Sequence, residues 1–205
     1  MSFASGYRGN ANGAVQTSYG DQPGIAVPGM LAFASDINNC DAIFIGETNG
    51  IKAGAGVRFV ASNEGLGFQR PGMQAFLPEG DEGATEFGGI VVFDEAMQSD
   101  ENGVPGWANG RVARIVRPSR GGGRIYVEAK AEITVGSSTV NWVIAAPTDG
   151  SFEVGDFSPS ALGGGAAGTS VALTNCSWVV GGAIGEMAML ELHGYVISVL
   201  STDAS

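Results

Sequence analysis

The stretch RIYVEAKAEITV, residues 124–135, alternates apolar and polar residues over its whole length. Its apolar members share one parity, and they are Ile125, Val127, Ala129, Ala131, Ile133 and Val135. A period of two is typical of a β-strand with one buried face and one wet face. On a helix the same residues would be spread around the whole circumference. The pattern therefore predicts a strand over residues 124–135.

Short apolar runs separated by Gly, Pro and Asn continue in both directions from this strand. They cover residues 30–34, 42–45, 57–61, 66–76, 89–93, 112–116, 140–146, 152–157, 171–173, 178–180 and 186–200. Turn signals at roughly ten-residue spacing are typical of an all-β sandwich or barrel. Because only short turns separate residues 112–116, 124–135 and 140–146, we expect these three strands to form an antiparallel meander. Residues 42–45, which are all apolar, are expected to form a fully buried strand.

The composition agrees with an all-β chain that has many turns. Among 205 residues there are 34 glycines, and only 15% of residues are charged. Glycine is costly inside regular elements but suits turns. A hydrophobic content of 44% is too high for a disordered chain.

The charge balance argues against a nucleic-acid partner. The net charge is -11 and there are only 10 Lys and Arg residues, whereas phosphate binding needs clustered cations. The basic residues that do cluster are Arg111, Arg114, Arg117, Arg120 and Arg124. They bracket a predicted hairpin, and we interpret them as solvent-facing strand ends.

The chain divides into three predicted regions. Residues 1–24 are rich in Gly, Asn, Ser and Gln and form a polar N-terminal arm, which either docks on a partner or is a frayed terminus. A composition shift near residue 100 separates an N-terminal β region, residues 25–100, from a C-terminal β-sandwich region, residues 101–205. The sequence leaves open that residues 25–205 form a single domain.

The sequence shows no pattern of a targeting signal, a membrane span or a cysteine motif. The N-terminus lacks a basic segment followed by an apolar one, and no apolar run is long enough to span a membrane. We therefore expect synthesis in a cytoplasm and no membrane partner. Cys40 and Cys176 lie far apart and outside any CxxC motif, so reduced, buried thiols are expected.

No motif for catalysis, a cofactor or a metal stands out. His193 is the only histidine, so a zinc site of His and Cys cannot be assembled in one chain. Gly163, Gly165 and Gly168 fit GxGxxG, but no helix pattern follows to bind a pyrophosphate. Two acidic loops are interpreted as solvated, and they contain Glu79, Asp81, Glu82 and Glu86, then Asp94, Glu95, Asp100 and Glu101. The sequence predicts a protein that is not an enzyme and needs no cofactor.

The tryptophans leave one alternative open, a carbohydrate-binding or glycan-processing β-sandwich. Trp107, Trp142 and Trp178 could form a sugar platform if they were exposed. Trp142 and Trp178 lie inside apolar runs, which favours the core.

The order of these features resembles the capsid cement, or decoration, proteins of tailed bacteriophages. The resemblance is carried by the polar arm, PGMLA at residues 28–32, AGAGV at residues 53–57, and GRIYVEA at residues 123–129, which is followed by a Gly turn and another strand. It implies an antiparallel, jelly-roll-like β-sandwich or barrel that binds the outer surface of a phage capsid and bridges neighbouring coat subunits.

This resemblance also implies the partners and the location. The expected partners are the major capsid protein and further copies of the chain, with a trimer favoured over a dimer. The expected location is the virion, after synthesis in the host cytoplasm. Because aromatic and Arg side chains often anchor interfaces, the predicted contact residues lie in the arm and in the loop around residues 70–76. They are Phe3, Tyr7, Arg8, Tyr19, Arg70, Met73 and Phe76.

Overall fold

The computed structural model describes residues 26–62, 72–80, 86–94, 97–99, 105–194 and 198–200, and within them the protein is built from β-strands. The strands are β1 Cys40–Ile45, β2 Ile51–Lys52, β3 Gly56–Ser62, β4 Gly72–Phe76, β5 Gly89–Val91, β6 Gln98–Ser99, β7 Pro105–Trp107, β8 Val112–Val116, β9 Gly123–Glu128, β10 Val140–Ala145, β11 Phe157–Ser158, β12 Thr169–Leu173, β13 Cys176–Val180, β14 Met187–Leu192 and β15 Ser198–Leu200. Short 3₁₀ turns cover Ala34–Asn39, Pro118–Arg120 and Gly165–Ala167. The predicted all-β class is confirmed. The predicted arm, residues 1–24, lies outside the described residues.

A closed barrel is formed by the strand order β1-β4-β3-β5-β8. Its strand pairs are antiparallel except β1 and β4, which run parallel. Ile43 and Ile45 face the barrel core, whereas Ala42 and Phe44 are exposed. The expectation of a fully buried strand at residues 42–45 was therefore wrong, because a barrel strand has one inner and one outer face.

A sandwich is formed by two further sheets, ordered β11-β10-β12-β15 and β13-β14-β9. Its core contains Trp142 from the first sheet and Trp178 from the second, and both are fully buried. This confirms that these two tryptophans belong to the core. Ile90 and Val116 of the barrel strands pack into the same cluster, so the barrel and the sandwich are in direct contact. The division of the chain near residue 100 stays a prediction.

The strand predicted for residues 124–135 is shorter than its pattern. It ends at Glu128, which pairs with Met187, the first residue of β14. Beyond that point the segment that precedes β14 forms a turn, in which Glu186 N donates to Ala183 O. The alternation in the sequence continues, but the ladder between β9 and β14 ends here, and Ile133 makes only an isolated bridge with Gly182.

The predicted meander is also wrong. β8 belongs to the barrel, β9 pairs with β14, and β10 pairs with β11 and β12. Consequently the five arginines do not bracket a hairpin. A second correction concerns residues 152–157, because only Phe157–Ser158 is a strand and the preceding residues form turns. Short connections allow pairing between sequence neighbours but do not require it.

A charged cluster joins β2 to the loop that precedes β11. Lys52 Nζ lies 2.6 Å from Glu153 Oε2 and 2.7 Å from Asp156 Oδ1, and the second Asp156 oxygen accepts a hydrogen bond from Glu153 N at 2.8 Å. Burial lowers the pKa of Lys52, but the carboxylates of Asp156 and Glu153 raise it by more, so it lies above its ordinary value of 10.5. The cluster links residues about a hundred positions apart in sequence.

Candidate interaction surfaces

Two of the predicted contact residues lie on the barrel strand β4 and not in a loop. Met73 is 39% exposed, and Phe76 is half-buried with the Arg58 guanidinium 6.0 Å from its ring centroid. The other predicted contact residues lie outside the described residues, and they are Phe3, Tyr7, Arg8, Tyr19 and Arg70. Met73 is thus the predicted contact residue that the structure shows at the surface.

Next to β4 lies an apolar patch that the sequence did not reveal, which we call the barrel face. On β1, Phe44 lies opposite Val112 of β8, and their exposed fractions are 38% and 45%. Arg114 follows on the same outer side of β8, opposite Ala42, and Arg111 precedes the strand; both arginines are exposed. The signal for Val112 was its shared parity with Arg114. Phe44 gave no such signal, because residues 42–45 are all apolar.

A second exposed surface, the loop pair, consists of residues 129–136 and 181–186. The two loops are fastened together by the bond from Ile133 N to Gly182 O, at 2.9 Å, and by that from Gly185 N to Ala129 O, at 2.8 Å. Each presents one large aliphatic side chain, since Val135 is 65% exposed and Ile184 is 74% exposed. These values are the highest among the large hydrophobic residues of the described part of the chain. Each loop of the loop pair therefore carries one exposed aliphatic side chain on hydrogen-bonded backbone.

Around His193 there is a polar groove that does not have the geometry of a catalytic triad. His193 Nε2 lies 2.9 Å from Ser177 Oγ and 3.9 Å from Glu191 Oε2. In a Ser-His-acid relay the serine and the acid contact different ring nitrogens, whereas here both lie nearest the same nitrogen. Glu191 also pairs with Arg124 at 3.0 Å. The contacts among Ser177, His193, Glu191 and Arg124 therefore link side chains at the surface.

Metal, phosphate and membrane sites find no support among the described residues. They contain no group of three or more His, Cys, Asp or Glu side chains able to hold a metal ion, and no helix with the length and apolar content to cross a membrane. The glycine motif forms a tight turn in which Gly164 N donates to Gly168 O, and β12 follows it directly. No helix N-terminus is therefore offered to a phosphate.

The sugar-platform alternative loses its main support. It requires exposed tryptophans, but Trp142 and Trp178 are fully buried and Trp107 is half-buried.

Both cysteines are free thiols, and we predict that they react slowly in the folded protein. Burial raises the pKa of the Cys40 thiol to about 11 and that of Cys176 to about 12. Because the thiolate is the reacting species, alkylation by iodoacetamide near pH 8 should be more than about 100-fold slower than in the unfolded chain. Mass spectrometry over time, with a guanidinium-unfolded control, measures this ratio. Comparable rates in both states would contradict it.

Comparisons with known proteins agree with this fold. A family model described as "Structural cement protein (E217 gp24/Pam3 gp6)" matches residues 15–193. A chain from the structure "The capsid of Myoviridae Phage XM1" superposes with a TM-score of 0.55 at 14% sequence identity, covering 82% of this chain and 90% of that chain. At that identity the likeness concerns the fold alone. No curated protein matches the sequence. Because the family match spans most of the chain, the protein belongs to the phage structural cement proteins, components of the virion that stabilise the capsid.

Proposed function

We propose that the protein binds the outer surface of the capsid, where it contacts the major capsid protein, bridges neighbouring coat subunits and takes no part in catalysis. The observation that carries the proposal is the family match over residues 15–193. The net charge of -11 supports an outer location, since an acidic body would be repelled by packaged nucleic acid. The protein acts as a homo-oligomer, with a trimer favoured over a dimer.

Bridging by a small oligomer has a simple energetic basis. Several weak contacts made together give tight attachment, because each contact after the first is intramolecular. A protein that binds the assembled lattice but not free coat subunits stabilises the lattice by mass action. Contacts are proposed through the arm, by Phe3, Tyr7, Arg8 and Tyr19, and through Arg70, Met73 and Phe76.

The surface position of Met73 allows a sharp test of this proposal. We expect Met73→Asp to weaken attachment to purified capsids about tenfold, because an exposed apolar anchor is replaced by a charge. Ile37→Asp is the matched control, since Ile37 is 42% exposed but lies on the Ala34–Asn39 turn, away from β4. Co-sedimentation with capsids over a concentration series measures both.

Removal of residues 1–24 provides an independent test of the proposed contacts. We expect the truncated protein to keep its thermal unfolding transition but to attach more weakly. Normal attachment of both the truncated protein and Met73→Asp would show that the contact residues are wrong. Failure of the intact protein to attach to any capsid of its own phage would contradict the proposed function itself.

A further inference from the structure

We propose that copies of this protein associate head to tail, with the loop pair of one copy packed on the barrel face of the next. The inference rests on the proposed homo-oligomer and specifies how its subunits meet. Both surfaces carry exposed apolar side chains on hydrogen-bonded backbone, and they are different parts of the same chain.

The apolar part of the contact comes from four side chains. Val135 and Ile184 project from the loop pair, while Phe44 and Val112 lie side by side on the barrel face. Removing such side chains from water is favourable in proportion to the area buried. The two loops need to lose little conformational entropy on association, because the backbone hydrogen bonds of Ile133 N and Gly185 N already join them.

Charge selects which patch meets which. The exposed arginines Arg111 and Arg114 flank the barrel face, whereas the loop pair contains the exposed acids Glu132 and Glu186 and a single cation, Lys130, which pairs with Glu128. In a chain with a net charge of -11, copies repel one another over most of their surface. A contact between the loop pair and the barrel face brings opposite charges together.

The same charges argue against a symmetric two-fold contact. Pairing barrel face with barrel face would oppose Arg to Arg, and pairing loop pair with loop pair would oppose Glu to Glu. Unlike patches form a heterologous contact, which closes into a ring when the rotation between copies permits. This agrees with a trimer more readily than with a two-fold dimer.

A mixing experiment tests the head-to-tail arrangement. Phe44→Asp disables the barrel face and Ile184→Asp disables the loop pair, so we expect each variant to sediment as a monomer where the unmodified protein is an oligomer. Each variant keeps the patch that the other has lost. Mixing them at about 100 µM, to offset the lost cooperativity of ring closure, should therefore yield a one-to-one dimer and nothing larger. Ile37→Asp, with a similar change at another exposed site, should remain oligomeric.

Charge exchange gives a second test that does not disturb apolar packing. Reversing Arg111 and Arg114 to Glu should weaken self-association at least about tenfold, and adding Glu132→Arg to the same chain should restore most of it. Circular dichroism and thermal unfolding check that each variant is folded.

The outcomes separate this inference from the proposed function. An oligomer that is unchanged in both single variants would overturn the head-to-tail contact while leaving capsid attachment intact. An unmodified protein that is monomeric at every concentration would overturn the proposed homo-oligomer as well. Variants that stay oligomeric but no longer attach to capsids would show that these patches bind the coat protein instead.

Discussion

Replacing Asp156 by Ala should lower the free energy of unfolding by roughly 3 kcal/mol, the lower end of the range for breaking a buried ion pair. Asp156 is buried, and its two carboxylate oxygens bind Lys52 Nζ and Glu153 N. Without the carboxylate, the Lys52 ammonium keeps only Glu153 within the cluster, and Glu153 N loses its acceptor. The lower end applies because the Lys52 side chain is partly exposed. Equilibrium unfolding in urea, at one fixed protein concentration, measures the change.

Glu153→Ala is the matched control for this prediction. Glu153 contacts the same Lys52 ammonium, but its side chain is 67% exposed, so the substitution should cost less than about 1 kcal/mol. An equal decrease in the free energy of unfolding in the two variants would show that burial of the carboxylate does not determine how much each ion pair stabilises the fold.

The cluster should also make stability depend on pH at the alkaline end. The pKa of Lys52 is raised on folding, so its charged form binds more tightly in the folded state. This contribution is fully present below the ordinary lysine value of 10.5 and is lost as the pH rises through the folded-state pKa. The stability gap between the unmodified protein and Asp156→Ala should therefore narrow in that range. A stability difference between the two proteins that stays constant as the pH rises would contradict this link to the ionisation of Lys52.

The second large effect separates two tryptophans that are equally buried. We expect Trp178→Phe to cost about 1–2 kcal/mol more than Trp142→Phe, because only Trp178 loses a hydrogen bond. Trp178 Nε1 donates to Thr139 O at 3.0 Å, whereas Trp142 Nε1 is buried with no partner among the described residues. Phenylalanine thus removes a satisfied donor at one site and an unsatisfied donor at the other.

Each variant serves as the control for the other, since both lose the same part of an indole ring from the same core. The loss of buried area largely cancels in the comparison. Urea unfolding of both variants gives the difference directly. A larger loss for Trp142→Phe would show that its indole N–H is satisfied after all.

Local patterns in the sequence were sufficient for individual strands. The short run at residues 112–116 predicted β8 with the bounds that the structure shows, and the apolar surroundings of Trp142 and Trp178 predicted their burial. These properties depend on which side chains suit a buried face. They do not depend on the identity of the neighbouring strand.

Pairing between distant strands could not be predicted in the same way. Strand β9 stops at Glu128 because β14 begins at Met187, and nothing in residues 129–135 signals this. Strand β8 closes a barrel with β1 and β5 and does not pair with its sequence neighbour. The period-two pattern is a property of a single strand, whereas the register of a ladder depends on both of the strands that pair.

The interaction surfaces divide in a similar manner. Met73 was predicted as a contact residue of the loop around residues 70–76; the structure shows it exposed but on strand β4, and its role in binding stays a prediction. Phe44 was missed because the predicted run, residues 42–45, is all apolar and gives no sign of which parity faces water. Ile184 was missed because a single large aliphatic residue in the Gly-rich turn GGAIG, residues 181–185, has no periodic partner.

The shared packing of barrel and sandwich determines how the protein responds to mechanical load. Val116 ends a barrel strand yet lies in the same cluster as Trp142 and Trp178. A pull on the barrel is transmitted to the sandwich through close-packed side chains, which are stiff and hardly compressible. We therefore expect the barrel and the sandwich to resist stretching as one body.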